Sequence, residues 1–506
     1  MSTGAIRLAA ALAAAALAGC AALERPFDAH LASGVFGVRE CARWFEALDE
    51  AVVKAQARDA QETRVAGFPY LRVNRLLASL RAPAASPLEL RAYVERLRAL
   101  DLEARGFEIA NLPREVFDAL PGLYPGAERS VAVRRSAECG HLLARIDLDR
   151  PEVLAQIIER ARVPDDYSSA SRVFGIYALT RIPFAAGVRR WEQSVRERFR
   201  RAPTEAPSVS LVRYAPPGRP TLYYETVAGY LGRAIFEPFG ILELSARELD
   251  RVFAAYAPSF EIEIGGDFDR FGGLRWEREA ATPTVDASAL EVYTKVSHTR
   301  YGDQVLLQLV YTIWFPERPP THDGDILAGR LDGLVWRVTI APDGEPLIYD
   351  AIHPCGCFHM FFPTRRARPR PAPDSLEEWA FVPQTLPRVQ PGERPLVRLA
   401  SRTHYIERVS LVSGTDSLVR YQLQPYNTLR SMWDMRGGKR SVFGPDGLIA
   451  GTERPERFIF WPMGVDSPGA MRQWGRHATA FVGRRHFDDA DLFEHRFELE
   501  LERTRR

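Results

Sequence analysis

The first half of the chain has the hydrophobic pattern of helices. Between residues 36 and 205, apolar side chains recur at intervals of three and four residues, which places them on one face of a helix. Ser86, Pro87 and Glu89 form a capping box with proline in the first turn, a combination that begins a helix. The last segment sets four large apolar side chains on one face, with arginines around the rest: Val188, Trp191, Val195 and Phe199.

After residue 205 the pattern changes to the two-residue alternation of β-strands, separated by turn sequences such as that at residues 341–344. One helix interrupts the strands, where Ser245 and Glu248 form a second capping box. We therefore predict an α+β fold, in which a helical domain (36–205) precedes a β-rich, mainly antiparallel domain (206–506) with few helices. The predicted strands cover residues 209–214, 260–264, 290–296, 305–315, 334–340, 347–362, 397–411 and 419–423.

The N-terminal residues have a composition of their own. Arg7 precedes an apolar run at residues 8–17, which is too short to span a bilayer, and the run ends in Leu-Ala-Gly-Cys at residues 17–20. This order resembles the lipobox of bacterial lipoproteins. The resemblance implies a signal peptide over residues 1–19, cleavage before Cys20, diacylation of the Cys20 thiol and lipid attachment to a membrane of the bacterial cell envelope.

The residues after the signal refine this expectation. By analogy with lipoprotein sorting, an aspartate directly after the acylated cysteine marks a lipoprotein that is retained in the inner membrane. This chain has Ala21 at that position, so the analogy favours the outer membrane. Residues 20–35 then form a tether between the lipid and the folded protein. The alternative is an ordinary secretory signal in which Cys20 is coincidental.

Composition narrows the class of the mature protein. Apolar residues make up 46% of the chain and aromatic residues 10%, as in folded globular proteins. The formal net charge is +2, which argues against a nucleic-acid partner. A membrane is the expected partner through the lipid, and an envelope protein or an anionic lipid is expected to contact an arginine-rich helix. Its arginines are Arg189, Arg190, Arg196, Arg198, Arg200 and Arg201.

The four cysteines other than Cys20 divide into two pairs. A disulfide between Cys41 and Cys139 is one interpretation, since disulfides persist in the envelope. The other is that Cys41, which lies in a helical pattern, is a small buried side chain. Cys355 and Cys357 are separated by a single residue and belong to the strongest chemical signal in the chain.

That signal is the alternation of His353, Cys355, Cys357 and His359 within seven residues. In a strand the four side chains would share one face, and all four are common ligands of zinc and copper. A straight strand would spread them over roughly 20 Å, so one ion requires a bend, which Gly356 permits. We therefore predict a site for zinc or copper formed by a subset of these four residues.

Other ligands and other chemistry remain open at this stage. His404, His298 or His322 would complete the coordination sphere from elsewhere in the chain. Alternatively, Cys355 and Cys357 form a reducible disulfide and act as a thiol–disulfide redox pair. A third interpretation is structural, with the cysteines and histidines packed in a core.

Familiar catalytic motifs are missing from the sequence, which has no Gly-x-Ser-x-Gly, His-Glu-x-x-His, Gly-x-Gly-x-x-Gly or P-loop. Whether the protein is an enzyme is therefore left open. A Pro/Arg-rich segment at residues 363–375 is predicted to be an extended surface loop. Three functions follow from the sequence: a lipid-anchored envelope protein with a metal site, a lipid-anchored redox module, or a non-catalytic scaffold or partner-binding lipoprotein.

The lipobox generates the first testable prediction. A Cys20→Ala variant has no thiol to acylate, so we expect it to remain at its precursor mass and to incorporate no labelled fatty acid. Mass spectrometry of the protein extracted from membranes makes the measurement. A processed, membrane-bound Cys20→Ala protein would contradict the lipoprotein interpretation.

Overall fold

The computed structural model describes residues 26–81, 86–201, 210–218, 222–278, 280–413 and 419–501. The signal peptide, Cys20 and the first residues of the tether lie outside this range. The described residues contain thirteen α-helices, nine of them before residue 205. They are α1 (Pro26–Leu31), α2 (Phe36–Lys54), α3 (Arg75–Leu80), α4 (Pro87–Asn111), α5 (Arg114–Asp118), α6 (Arg129–Leu148), α7 (Pro151–Arg160), α8 (Ser169–Phe174), α9 (Tyr177–Arg200), α10 (Tyr224–Leu231), α11 (Ala246–Tyr256), α12 (Arg457–Phe460) and α13 (Leu492–Arg496).

The N-terminal helices share one hydrophobic core, to which α2, α4, α6 and α7 all contribute. The capping box predicted at the start of α4 is present, with the Ser86 hydroxyl accepting from the Glu89 backbone N–H. A two-stranded hairpin that the helical pattern did not predict packs into the same core; it consists of β1 (Thr63–Val65) and β2 (Phe68–Val73). Its strands are short and lie between helices, so the helical spacing around them masks their alternation.

A disulfide joins α2 to α6. The sulfurs of Cys41 and Cys139 lie 2.09 Å apart, so the pairing considered from the sequence is present. Cys139 is buried, and both cysteines belong to the N-terminal core. The bridge closes a stretch of 98 residues and holds together two helices that pack against each other.

Ion pairs connect the two halves of the chain. Arg430 is buried, and its guanidinium contacts Asp59 at 2.6 Å and Glu62 at 3.2 Å. Arg75 on α3 contacts Asp488 near the C terminus at 3.2 Å. Because a buried charge is costly without a partner, these pairs tie the position of the helices to that of the C-terminal segment.

Two sheets form the core of the second half, which confirms the predicted α+β fold. One has six strands in the order β11-β10-β9-β8-β7-β16, and the other has five in the order β14-β13-β4-β3-β15. Most strand pairs are antiparallel, as predicted. The strands are β3 (Ser210–Ala215), β4 (Ser259–Ile264), β5 (Gly273–Arg275), β6 (Thr284–Asp286), β7 (Glu291–Tyr301), β8 (Gln304–Arg318), β9 (Gly329–Ile340), β10 (Pro346–Ile352), β11 (Met360–Pro363), β12 (Ala367–Pro369), β13 (Glu393–Leu399), β14 (Ile406–Ser413), β15 (Val419–Arg420), β16 (Gln422–Pro425), β17 (Met432–Trp433), β18 (Lys439–Arg440) and β19 (Phe497–Leu499).

Two predicted strands are each divided in the structure. The segment 347–362 forms β10 and β11, which pair with each other across a loop at residues 353–359, and 397–411 forms β13 and β14 in the same way. The prediction of a single strand through the four histidine and cysteine positions is therefore wrong. The reason is local, because Pro354 has no N–H to donate to a ladder and Gly356 takes a φ of +92°.

The Pro/Arg-rich segment is extended, but part of it is paired. Its strand β12 lies antiparallel to β19 near the C terminus, and Arg370 contacts Glu498 at 3.4 Å. The predicted free loop at residues 363–375 is thus a strand edge over three of its residues. The pairing is long-range, so the local composition did not reveal it.

Helix α9 packs on the second half of the molecule. Its Val195 is buried in the core of the two sheets, and the ring of Trp191 lies 5.3 Å from that of Phe381. Pro183 lies inside this helix. None of the described helices combines the length and the apolar character that a membrane span requires.

The disulfide generates a stability prediction. A Cys41→Ser/Cys139→Ser variant should lose about 4 to 5 kcal/mol of unfolding free energy, because the bridge constrains a loop of nearly a hundred residues in the unfolded chain. Urea denaturation of the oxidised protein and of the variant measures the difference. Reductant should lower the stability of a Cys355→Ser/Cys357→Ser protein to the same extent and leave the Cys41→Ser/Cys139→Ser protein unchanged. Equal stability of oxidised and variant proteins would contradict the prediction.

Candidate functional site

The candidate site is built on the tight loop at residues 353–359 between β10 and β11. The backbone N–H of His353 donates to the carbonyl of Cys357 at 3.0 Å, and that of Gly356 donates to the carbonyl of His353 at 2.8 Å. A Cβ at Gly356 would lie 2.4 Å from the carbonyl oxygen of Ala478. Only glycine fits there, because the backbone has a positive φ and lies directly against another segment.

This loop brings the two thiols together. Cys355 is buried and Cys357 is half-buried, and the two are unbridged. Burial opposes ionisation of Cys355, but the Cys357 thiol, which donates a hydrogen bond to it, and the nearby charge of Arg454 lower the pKa of Cys355 overall. That hydrogen bond, together with burial, raises the pKa of Cys357 well above its ordinary value. Cys355 is therefore the sulfur on which a thiolate forms more readily.

His353 does not lie beside these sulfurs as a free ligand. Its Nδ1 contacts Asp332 Oδ1 at 3.1 Å, and His404 Nδ1 contacts Asp332 Oδ2 at 2.8 Å. The structure thus brings together His353 and His404, two of the predicted ligands, but on a carboxylate. Burial opposes protonation of His404, yet the carboxylates of Asp269 and Asp332, which accept from its ring, raise its pKa. For His353 burial outweighs Asp332, and its pKa is lowered.

His359 is held separately. Its Nε2 contacts Asp350 Oδ2 at 2.9 Å, and Asp350 also pairs with the buried guanidinium of Arg337 at 2.6 Å. Burial lowers the pKa of His359 to about 3, so its ring is neutral. Because Nε2 carries the proton and donates to Asp350, Nδ1 is an acceptor, and it is buried without a hydrogen-bond partner among the described residues.

The remaining predicted ligands lie elsewhere. His298 is on β7, where burial lowers its pKa to about 4, and His322 is exposed in the loop between β8 and β9. Neither lines the cavity formed beside Cys355 and Cys357. Within the described ranges, no group of three or more His, Cys, Asp or Glu side chains is arranged to hold a metal ion. Of the predicted ligand set, Cys355, Cys357 and His359 line this cavity.

Both thiols line a cavity of about 420 Å³. One wall comes from α9, another from the loop at residues 353–359, and the rest from segments near residues 378–381, 456–468 and 478–485. The volume is that of a small-molecule site. The wall is mainly apolar, and its aromatic side chains are those of Phe184, Trp191, Phe358, Trp379, Phe381, Tyr405, Phe460 and Phe481.

The most notable polar group in the cavity wall is Glu456. It is 2% exposed and has no salt-bridge partner within 4 Å among the described residues. Its negative charge acts on Cys355 and Cys357 and opposes the ionisation of both thiols. Burial raises its pKa to about 7, against the lowering effect of Arg454 and Arg318. Sequence reasoning missed Glu456, since a single glutamate a hundred residues from the cysteines carries no local signal.

Comparison of the chain with protein families, with curated proteins and with solved structures finds no match in any of the three. The site is therefore interpreted from its own geometry.

The position of Glu456 gives a pH-dependent prediction. Its pKa rises from 4.5 in the unfolded chain to about 7 in the folded protein, so folding takes up a proton between these values and stability falls as the pH rises through them. The difference corresponds to about 3 kcal/mol. A Glu456→Gln variant should therefore be more stable than the unmodified protein by about 3 kcal/mol at pH 8.

Urea denaturation at pH 5 and pH 8 provides the measurement. At pH 5 the two proteins should differ by less than about 1 kcal/mol, since the carboxyl is protonated in the folded state. Glu453→Gln is the matched control, because Glu453 is exposed on the same segment. A Glu456→Gln effect that is the same at both pH values would show that the carboxyl does not titrate in this range.

Proposed function

We propose that the protein is a lipid-anchored component of the bacterial cell envelope in which Cys355 and Cys357 form a dithiol–disulfide pair at the wall of a ligand-sized cavity. The observation that carries the proposal is that two unbridged thiols on one tight loop line the same cavity. The lipobox at Cys20 supports the anchor, and Ala21 favours the outer membrane. The envelope is a compartment in which disulfides form and persist.

The reaction is a thiol–disulfide exchange with a compact disulfide that enters the cavity. The Cys355 thiolate attacks one sulfur of that disulfide, whose S–S bond breaks and whose second sulfur leaves as a thiolate. Cys357 then loses its proton and attacks Cys355 Sγ, which displaces the first sulfur of the substrate. The products are a Cys355–Cys357 disulfide and a reduced dithiol that has gained two electrons and two protons.

The surroundings suit this chemistry. Burial of Cys355 excludes bulk water, and the cavity gives a small molecule access to its sulfur. Arg454 lies near both sulfurs, and its charge favours a thiolate. His353 and His359 are engaged by Asp332 and Asp350, so they position the loop and leave the sulfurs as the reactive groups.

A second candidate is the binding of a soft ion, copper(I) or zinc, by the same two thiols. It is favoured by one observation: His359 also lines the cavity, and its neutral ring has an Nδ1 without a hydrogen-bond partner among the described residues. Thiolates select such ions. The two sulfurs would hold the ion, since both line the cavity and neither His353 nor His404 does.

The test is a redox titration of the purified protein combined with metal analysis. In glutathione buffers of increasing oxidation, mass spectrometry after thiol alkylation should show Cys355 and Cys357 losing two hydrogens together as they form a bridge. A Cys357→Ser variant should instead trap glutathione on Cys355, because no second thiol is present to displace it. The Cys41–Cys139 bridge, digested to a separate peptide, is the internal control.

Each other outcome identifies a different function. About one equivalent of zinc or copper, lost in a Cys355→Ser/Cys357→Ser variant, would replace the redox proposal by the metal site. Two thiols that stay reduced throughout the titration, with no metal present, would overturn both. The envelope scaffold would then be the function to pursue.

A further inference from the structure

A group of large apolar side chains is exposed where α8, the start of α9 and the α12 turn meet. Their exposed fractions run from 40% for Trp461 to 80% for Phe174. The segments adjoin each other, since a Cβ at Gly175 would lie 2.5 Å from the Pro462 side chain, and the rings of Phe184 and Phe460 are 5.2 Å apart. We call this surface the apolar face; it consists of Val173, Phe174, Ile176, Leu179, Ile182, Phe458, Ile459 and Trp461.

Such a surface is unusual for a protein that is surrounded by water. Single exposed apolar residues are common, but a contiguous group of this size marks an interaction site. The side chains come from two distant parts of the sequence, residues 173–182 and 458–461, which fold onto the same place. A local irregularity of one loop therefore does not explain the exposure.

The charges around the apolar face indicate what it contacts. From Tyr167 to Trp191 the chain contains four arginines and no aspartate or glutamate, and residues 457–463 contain one arginine and no acidic residue. Arg189 and Arg190 are exposed about two turns beyond Ile182 on α9. Exposed apolar and tryptophan side chains on segments that carry arginines and no acidic residues are complementary to an anionic lipid surface.

The length of chain before the structure agrees with this partner. Five residues lie between Cys20 and Pro26, where α1 begins, and the six extended residue steps from one to the other reach at most about 20 Å. If Cys20 is acylated, as proposed above, the folded protein is held within that distance of the bilayer. A face with apolar and basic side chains is then available to the membrane at a high local concentration.

We propose that the apolar face docks on an anionic lipid bilayer, with its aromatic and aliphatic side chains in the headgroup region and the neighbouring arginines on lipid phosphates. This is a second membrane contact, formed by the folded protein itself. It goes beyond the lipid anchor and involves no thiol chemistry. Because α9 and the α12 segment also line the cavity, docking gives the cavity a defined orientation relative to the bilayer.

The test uses the chain from residue 21 onward, which lacks the acylation site and contains every described core residue. It should sediment with vesicles of phosphatidylcholine and phosphatidylglycerol, bind less to phosphatidylcholine alone, and be released partly by salt. Phe458→Ser/Ile459→Ser should weaken partitioning at least about tenfold, since two large apolar side chains no longer enter the lipid. Circular dichroism confirms that the variant is folded.

The matched control is Ile235→Ser/Phe236→Ser, which removes two exposed apolar side chains of the same kind from another surface. It should bind within about twofold of the unmodified chain. Equal losses in both variants, or no loss in either, would overturn the proposal. So would a dimer that forms without vesicles and dissociates in Phe458→Ser/Ile459→Ser, because the face would then join two copies of the chain. Failure of Cys20 acylation, by contrast, would leave this vesicle result unaffected.

Discussion

The buried carboxylate of Asp332 is the interaction on which the site depends. It lies on β9 with no solvent exposure and contacts His353 at 3.1 Å, His404 at 2.8 Å and Arg454 at 3.4 Å. A carboxylate removed from water is strongly unfavourable unless charged or hydrogen-bonding partners surround it. The three partners come from three different segments, so satisfying this one charge places the cysteine loop, the turn between β13 and β14, and the C-terminal segment relative to the sheet.

This arrangement fixes the orientation of the two histidines of the loop. Each has one ring nitrogen hydrogen-bonded to a buried carboxylate, His353 Nδ1 to Asp332 and His359 Nε2 to Asp350. Both interactions stabilise the loop at its ends, where it leaves β10 and enters β11. The cysteines lie between these two attachment points, in the part of the loop that faces the cavity. The histidines thus act on the thiols through the backbone that they hold in place.

The features that the sequence predicted are those with local signals. The capping boxes at Ser86 and Ser245 begin helices as expected, and the alternation of apolar residues located most strands of the two sheets. The bend at Gly356 was also predictable, because a straight strand would spread the four predicted ligands too far apart for one metal ion. What the sequence did not reveal are the partners. Asp332 precedes His353 by 21 residues, and Glu456 follows the cysteines by about a hundred. Such proximity depends on strand pairing and packing, which local periodicity does not encode.

Helix α9 shows how one element serves two environments. Trp191 and Val195 point into the protein, where they pack on the sheets, while Leu179 and Ile182 near the other end are exposed. Its intermediate residues, from Pro183 to Trp191, line the cavity. A shift of this helix would therefore reach the cavity wall, since one continuous helix carries both surfaces. The position of Pro183 at the junction of the two parts is consistent with this division, because a proline interrupts the hydrogen-bond ladder and is where a helix bends most readily.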